Sequence, residues 1–460
     1  MRRHLAALSV ALVSSAGLAS PAEPGRVAEV EGRLLAEATE GAERHRKGDA
    51  TLVFVRRDGT PVAGATVLVR QETHEFLFGA LLFGLVGHGG EDVHRPDAFK
   101  SRFKSLFNLG VLPYYWSGYE PVPGRPQWPR MAGAIEWALA NGLTLKGHPL
   151  AWTHTAGTPG WLRAMPVETT EALLHARVTS TVAGLAGTID LWDVVNEPVN
   201  TVTWRMAHAE TAPGDGPRYR SVPVGEVADW IEPLYRAARA ANPRAALVLN
   251  EFYQVMRPEV RQRFLDLVRL LQARRVPIDA LGLQAHEPLD AWFPPEELRR
   301  TLDLYAPLGL PLHVTEFIPQ SSGKPIAGGW REGTWTEEAQ ADYAEQVYRI
   351  AFGHPAVELI NWWGFSDRDA WMPGGGLVTD EYAPKPVFER LQRLVNGEWR
   401  TSLDARTDAA GRVSFRGFYG RYAVAVREAD GIEHAFSVAL SKKTGQENRF
   451  RLTVGSAFRP

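Results

Sequence analysis

Between Phe76 and Arg400, short apolar runs alternate with stretches whose apolar residues recur at helical spacing, and this alternation admits few folds. The runs are Phe76–Leu82, Leu106–Leu112, Leu143–His148, Ile189–Val195, Ala246–Asn250, Ile278–Gln284, Leu312–Thr315 and Val357–Trp363. Phe264, Leu267, Val268 and Leu271 mark one helix between them, and Tyr343, Val347 and Ile350 mark another. Strands alternating with helices imply a parallel sheet, and eight such strands can close into an α/β (β/α)8 TIM barrel. An open doubly wound sheet competes with that reading, but no glycine-rich phosphate loop opens the first helix.

The flanks follow a different rule. Thr51–Val55 and Ala65–Val69, with Asp58-Gly59 between them, have the pattern of a β-hairpin. Val413 and Phe415 alternate with polar neighbours near the other end, as do Tyr422, Val424 and Val426, and Phe450, Leu452 and Val454. A lone hairpin is only marginally stable, so the two flanks are expected to form one small antiparallel β-sandwich into which the barrel is inserted. The stretch Asp58–Ala65, with Asp408–Gly411 and Gly420–Tyr422, resembles carboxypeptidase-regulatory-like modules, and its expected role is to tie the termini together. The expected division is 1–20 signal peptide, 21–48 linker or helix, 49–75 first part of the sandwich, 76–400 barrel, and 401–460 second part.

Met1-Arg2-Arg3-His4, then the apolar run Leu5–Val13 and small residues around Ala16 to Ala22, form the pattern of a secretory signal. The expected destination is therefore secreted or periplasmic. That run is too short to span a bilayer. The chain has no cysteine, so export would bring no disulfides. Lys+Arg total 51 against Asp+Glu 53, which gives no basic excess for nucleic acid or an anionic membrane. A monomer without a cofactor is expected.

Two of the apolar runs lead into a carboxylate: Leu191–Asn196 into Glu197, and Leu312–Thr315 into Glu316. A carboxylate at a core position is costly to desolvate, so its presence there needs a reason. In a barrel, the ends of strands face the working cleft. A carboxylate pair facing one cleft can cleave a glycosidic bond: one group protonates the leaving oxygen, and the other attacks or stabilises the anomeric carbon. Either glutamate alone could pair with a neighbouring arginine, and for a single glutamate at a strand end that is the commoner case. Metal binding is a second option for His148, His154, His286 and His313, but no His-x-His pair or ligand cluster stands out. No Gly-x-Ser-x-Gly nucleophile elbow follows a strand.

Further motifs sit at other strand ends: Gly147–Trp152, Asn196-Glu197-Pro198, Asn250-Glu251-Phe252, Gln284-Ala285-His286 and Trp363–Trp371. In order and spacing these resemble glycoside hydrolase family 10, whose typical members are retaining β-1,4-xylanases, over about Phe76 to Arg400. The resemblance implies Glu197 as acid/base and Glu316 as nucleophile. It places Asn196 at the 2-hydroxyl of the reacting sugar, His286 on the nucleophile and Gln284 on the sugar nearby. His148 and Trp152 would line the sugar, and Trp363 and Trp371 would wall it. It implies no metal and a polysaccharide or oligosaccharide partner. Glu197 should then be raised by burial, Glu316 should stay ionised, and retention implies carboxyl groups about 5–5.5 Å apart.

One stretch departs from the family. Val111–Pro121 (Val-Leu-Pro-Tyr-Tyr-Trp-Ser-Gly-Tyr-Glu-Pro) lacks the Glu-Asn and the Lys that bind the distal sugar of xylan, and Trp152 is followed by Thr153 where the family has His. Losing those donors should relax or redirect the choice of sugar. The expected substrate is a β-1,4-xylan-type polymer, and another β-glycan or an aryl glycoside is the alternative within the same mechanism. A non-catalytic carbohydrate-binding barrel is the alternative from another class, and retention of both glutamates argues against it.

Overall fold

The computed structural model describes residues 22–86, 96–209, 222–286, 289–442 and 448–455. The amino-terminal signal-like run therefore lies outside the described residues. Two strands precede the barrel, β1 (Lys47–Val55) and β2 (Thr66–His74). The barrel strands are β3 (Leu77–Leu81), β4 (Leu109–Pro113), β5 (Thr144–His148), β6 (Leu191–Asn196), β7 (Ala246–Glu251), β8 (Ala280–Leu283), β9 (Leu312–Phe317) and β10 (Val357–Trp362). Five more follow: β11 (Ser402–Arg406), β12 (Arg412–Phe418), β13 (Gly420–Arg427), β14 (Glu433–Leu440) and β15 (Asn448–Thr453).

Strands β3 to β10 close into one parallel barrel in chain order, β10 pairing with β3. All eight expected strands are present. β4 starts later than Leu106 because Leu106 and Phe107 lie in the turn that closes the helix Pro96–Lys104, where the Phe107 N–H bonds the Phe103 carbonyl at 3.0 Å. β6 and β9 are buried at every residue, as strands covered on both faces must be. Gly147 on β5 allows the Trp192 indole of β6 against the backbone: an added Cβ would lie 2.0 Å from that ring.

The flanking strands form two sheets, β12-β1-β15 and β11-β2-β13-β14. The expected pairing of the first two strands as a hairpin does not occur, since β1 and β2 lie in different sheets. Each pairs instead with carboxy-terminal strands, and Leu52, Phe54, Val67, Val69, Tyr422, Val424 and Val426 fill one shared core. A hairpin would leave one of its faces wet, whereas the split buries both apolar rows. The arrangement is also not wholly antiparallel, because β1 runs parallel to β15.

Within the expected linker or helix, Pro24–His45 is a helix. Proline suits its first turn because that N–H has no helical partner. Val27, Val30, Leu34, Ala38 and Ala42 recur at helical spacing and are buried. This helix crosses Glu337–Gly353 so closely that a Cβ on Gly353 would lie 2.3 Å from the Ala38 carbonyl oxygen. Just beyond it, the buried Arg46 guanidinium donates to the carbonyls of Phe352 at 2.6 Å and of His354 and Val357 at 2.5 Å each. It thereby pins the segment entering β10, at the end of the barrel away from the strands' carboxyl ends.

Replacing Gly353 by Ala should push the two helices apart and cost roughly 1–3 kcal/mol. Urea denaturation monitored by circular dichroism should show a lower midpoint at unchanged slope.

Candidate active site

Glu197 follows β6, Glu316 lies in β9, His148 ends β5, Gln284 and His286 follow β8, and Trp363 follows β10. All of these are carboxyl ends of parallel strands, which point the same way around the closed barrel, so distant segments converge on one mouth. Glu197 has φ of 59°, in the left-handed region that a residue with a Cβ seldom occupies. Such a conformation costs on the order of 1–3 kcal/mol and persists only where neighbours enforce it. Here the Glu197 N–H donates to the Asn250 carbonyl at 2.8 Å, and the Thr201 hydroxyl donates to the Glu197 carbonyl.

A web of side-chain amides joins the two carboxyls. Asn250 Nδ2 donates to Glu316 Oε1 and to Asn196 Oδ1, both at 2.8 Å. Gln284 Nε2 donates to Asn196 Oδ1 at 3.2 Å and to Glu197 Oε1 at 3.1 Å. Asn196 Nδ2 and Trp152 Nε1 add bonds to Glu197 at 3.2 and 2.9 Å. Thr315 Oγ1 donates to Asn250 Oδ1 at 2.6 Å and fixes which way that amide faces.

Burial pushes Glu197 up to about 7 against the donation of Gln284, Trp152 and Asn196. Burial, then the charges of Glu197 and Asp193, push Glu316 well above the carboxylate range, against the Asn250 amide and Lys146. Two carboxyls in one dry pocket cannot both ionise easily, so the pair shares a proton near neutrality, whereas the expectation from sequence is Glu316 ionised and only Glu197 protonated. The donors are not distributed as expected from sequence. Three N–H groups serve Glu197, while Glu316 receives one, from Asn250. His286 Nε2 lies 3.7 Å from Glu316 Oε2, beyond hydrogen-bond reach, because its bond goes to Gln284 Oε1 at 2.6 Å.

The remaining expected residues line the same mouth. His148 Nδ1 bonds Asp193 at 2.7 Å, and its Nε2 is 3.9 Å from Glu316 Oε1. Lys146 Nζ holds the other Asp193 oxygen at 2.8 Å. Burial pushes Asp193 up, but Lys146 and His148 outweigh it and leave this carboxyl below its ordinary value. Trp363 meets His148 edge-on at 4.8 Å, and Trp371 meets His286 edge-on at 5.5 Å. All nine sequence-derived positions therefore gather at one end of the barrel.

Four residues of the site escaped the sequence reading. Asn250 entered there only as part of the Asn250-Glu251-Phe252 motif, with no role assigned, and Lys146 and Asp193 are charged side chains inside otherwise apolar runs, a signal in itself. Tyr115 falls in the aromatic stretch where the family pattern breaks. Its ring lies 5.3 Å from His148, 5.8 Å from Trp152 and 6.1 Å from Phe83. Burial first, then the charges of Glu316, Glu197 and Asp193, raise its phenol well above the ordinary value.

Replacing Trp152 by Phe removes a donor that favours the ionised form of Glu197. The carboxyl should therefore titrate at higher pH than in the parent, and carbon NMR of labelled glutamate across pH 5 to 9, roughly the window around neutrality in which such groups move, reads the shift.

A family model described as glycosyl hydrolase family 10 matches residues 113–394, more than half of the chain. The anti-sigma-I factor RsgI6 of Acetivibrio thermocellus is 26% identical over 415 residues, covering 89% of this chain and 49% of that protein. The chain thus spans about half the length of that relative. Endo-1,4-beta-xylanase B of Thermotoga neapolitana is 29% identical over 291 residues, covering 61% of this chain and 78% of the relative. Among solved structures, xylanase 10B from Thermotoga petrophila RKU-1 in complex with xylobiose superposes with a TM-score of 0.57 at 23% identity, over 70% of this chain and 95% of that one. At that identity the superposition speaks for the fold.

Proposed function

This chain belongs to glycosyl hydrolase family 10, and from that premise we propose that it is a retaining glycoside hydrolase acting on β-1,4-xylan-type chains. Glu316 attacks the anomeric carbon while Glu197 gives its proton to the departing oxygen, and the bond between sugar and oxygen breaks. A water then gives a proton back to Glu197 and displaces Glu316 from the sugar. One observation carries the reading: two buried carboxyls from strands far apart in sequence, joined by the amides of Asn196, Asn250 and Gln284.

The surroundings suit a sugar. Pyranose faces present C–H groups, which pack on aromatic rings, and the rim hydroxyls need amides and imidazoles. Trp363, Tyr115 and Phe83 supply rings beside His148, and Asn196 and Gln284 supply polar atoms. The aromatic stretch after β4 favours substrates that stack, so substituted xylo-oligosaccharides and aryl glycosides belong in the proposed range. Export through the amino-terminal signal-like run completes the reading, with a secreted or periplasmic monomer as the working form. Among the described residues, no helix is long and apolar enough to cross a membrane.

An aryl xylobioside should be hydrolysed with retained configuration at the anomeric carbon, read by proton NMR. Glu316→Ala should leave no turnover above background. Glu197→Ala should lose roughly 10²–10⁴-fold on substrates whose leaving group needs a proton. Xylan, arabinoxylan and mixed-linkage glucan compared by product sizing would fix the polymer, and inactivity of the parent on all of these together with the aryl xylobioside would sink the proposal.

A further inference from the structure

A third carboxyl sits beneath the pair. Glu251 ends β7, is fully buried, and has no part in the double displacement described above. Its Oε2 accepts the Val199 N–H at 2.7 Å, and its Oε1 accepts the Phe252 N–H at 2.9 Å and Asn200 Nδ2 at 3.0 Å. The Asn200 amide also reaches the Phe252 carbonyl at 3.0 Å.

These bonds bear on Glu197 through the chain between them. Pro198 has no N–H, so the turn after Glu197 can be held only on either side of it. The Asn250 carbonyl takes the N–H of Glu197 and the Glu251 carboxyl takes that of Val199, so the end of β7 clamps both sides of the proline. Left-handed Glu197 lies inside this clamp. Both carboxyl oxygens of Glu251 accept N–H groups here, whereas an amide of the same length has a single accepting oxygen. Burial first, then the charge of Glu197, pushes Glu251 up to about 8, against the N–H groups of Phe252 and Val199 and the Asn200 amide.

We propose that Glu251 is a positioning residue for the acid/base: its buried carboxyl group locks the 197–201 turn and thereby aims the Glu197 carboxyl at the leaving oxygen. The inference rests on the proposed glycosidase reading. In Glu251→Gln the side chain keeps its shape, but an NH2 group replaces one acceptor and faces an N–H donor, so the clamp opens.

The test compares two leaving groups. Unsubstituted xylotetraose needs the proton of Glu197 to leave, whereas 2,4-dinitrophenolate leaves without help. Glu251→Gln should lower kcat/KM on xylotetraose about tenfold or more and change it less than about threefold on 2,4-dinitrophenyl xylobioside. Parallel loss on both substrates, or loss on neither, would overturn the positioning role. If that variant is insoluble, Asn200→Ala, which removes one bond of the same web, decides by the same comparison with a smaller effect of the same selectivity. A parent protein inactive on both substrates would instead defeat the glycosidase reading, so the two failures are distinguishable.

Discussion

The desolvated carboxyl pair at the mouth of the barrel sets the terms for the residues around it. Glu197 and Glu316 lie where burial resists their ionisation. Their remaining hydrogen-bonding capacity is met by Asn196, Asn250, Gln284 and Trp152, which are themselves held by Thr315 and His286. A network of this kind stabilises only when every member is satisfied. Polar residues at the carboxyl ends of β6 to β9 accordingly form one connected set.

The same demand explains the outer layers of the site. Lys146 and Asp193 form a buried ion pair that also fixes the His148 ring beside Glu316. Removing one member would strand the other charge in the interior, a change that typically costs about 3–5 kcal/mol. The opposite end of the barrel does different work. There the Arg46 guanidinium holds the entrance to β10, and the strands of the two flanking sheets join the segments before and after the barrel.

Much of the fold was legible because its signals are local. Eight apolar runs and the helical spacing between them identify a barrel, and glutamates at the ends of two runs mark where to look for chemistry. Strand ends could be placed only to within a few residues, as at β4, where Phe103 to Phe107 serve a helix although their composition suits a strand. The flanks were misread for a related reason. Alternation in 51–55 and 65–69 identifies strands, but not their partners, and the turn signal at Asp58-Gly59 favours a hairpin that the shared core does not permit.

The chain's own pattern determined the strand count, the catalytic candidates and the aromatic stretch after β4, because periodicity and residue type are properties of neighbouring positions. Only the closed barrel decided which side chains meet. It brought Asn250 and Asp193 to the carboxyls, turned His286 toward Gln284 instead of Glu316, and set Glu251 behind the proline turn. Those contacts depend on amide orientations and strand register across as many as 120 positions, on the order of the distance that separates the two glutamates in sequence. Burial then set the proton affinities, and burial is a property of the assembled core, which no single segment carries.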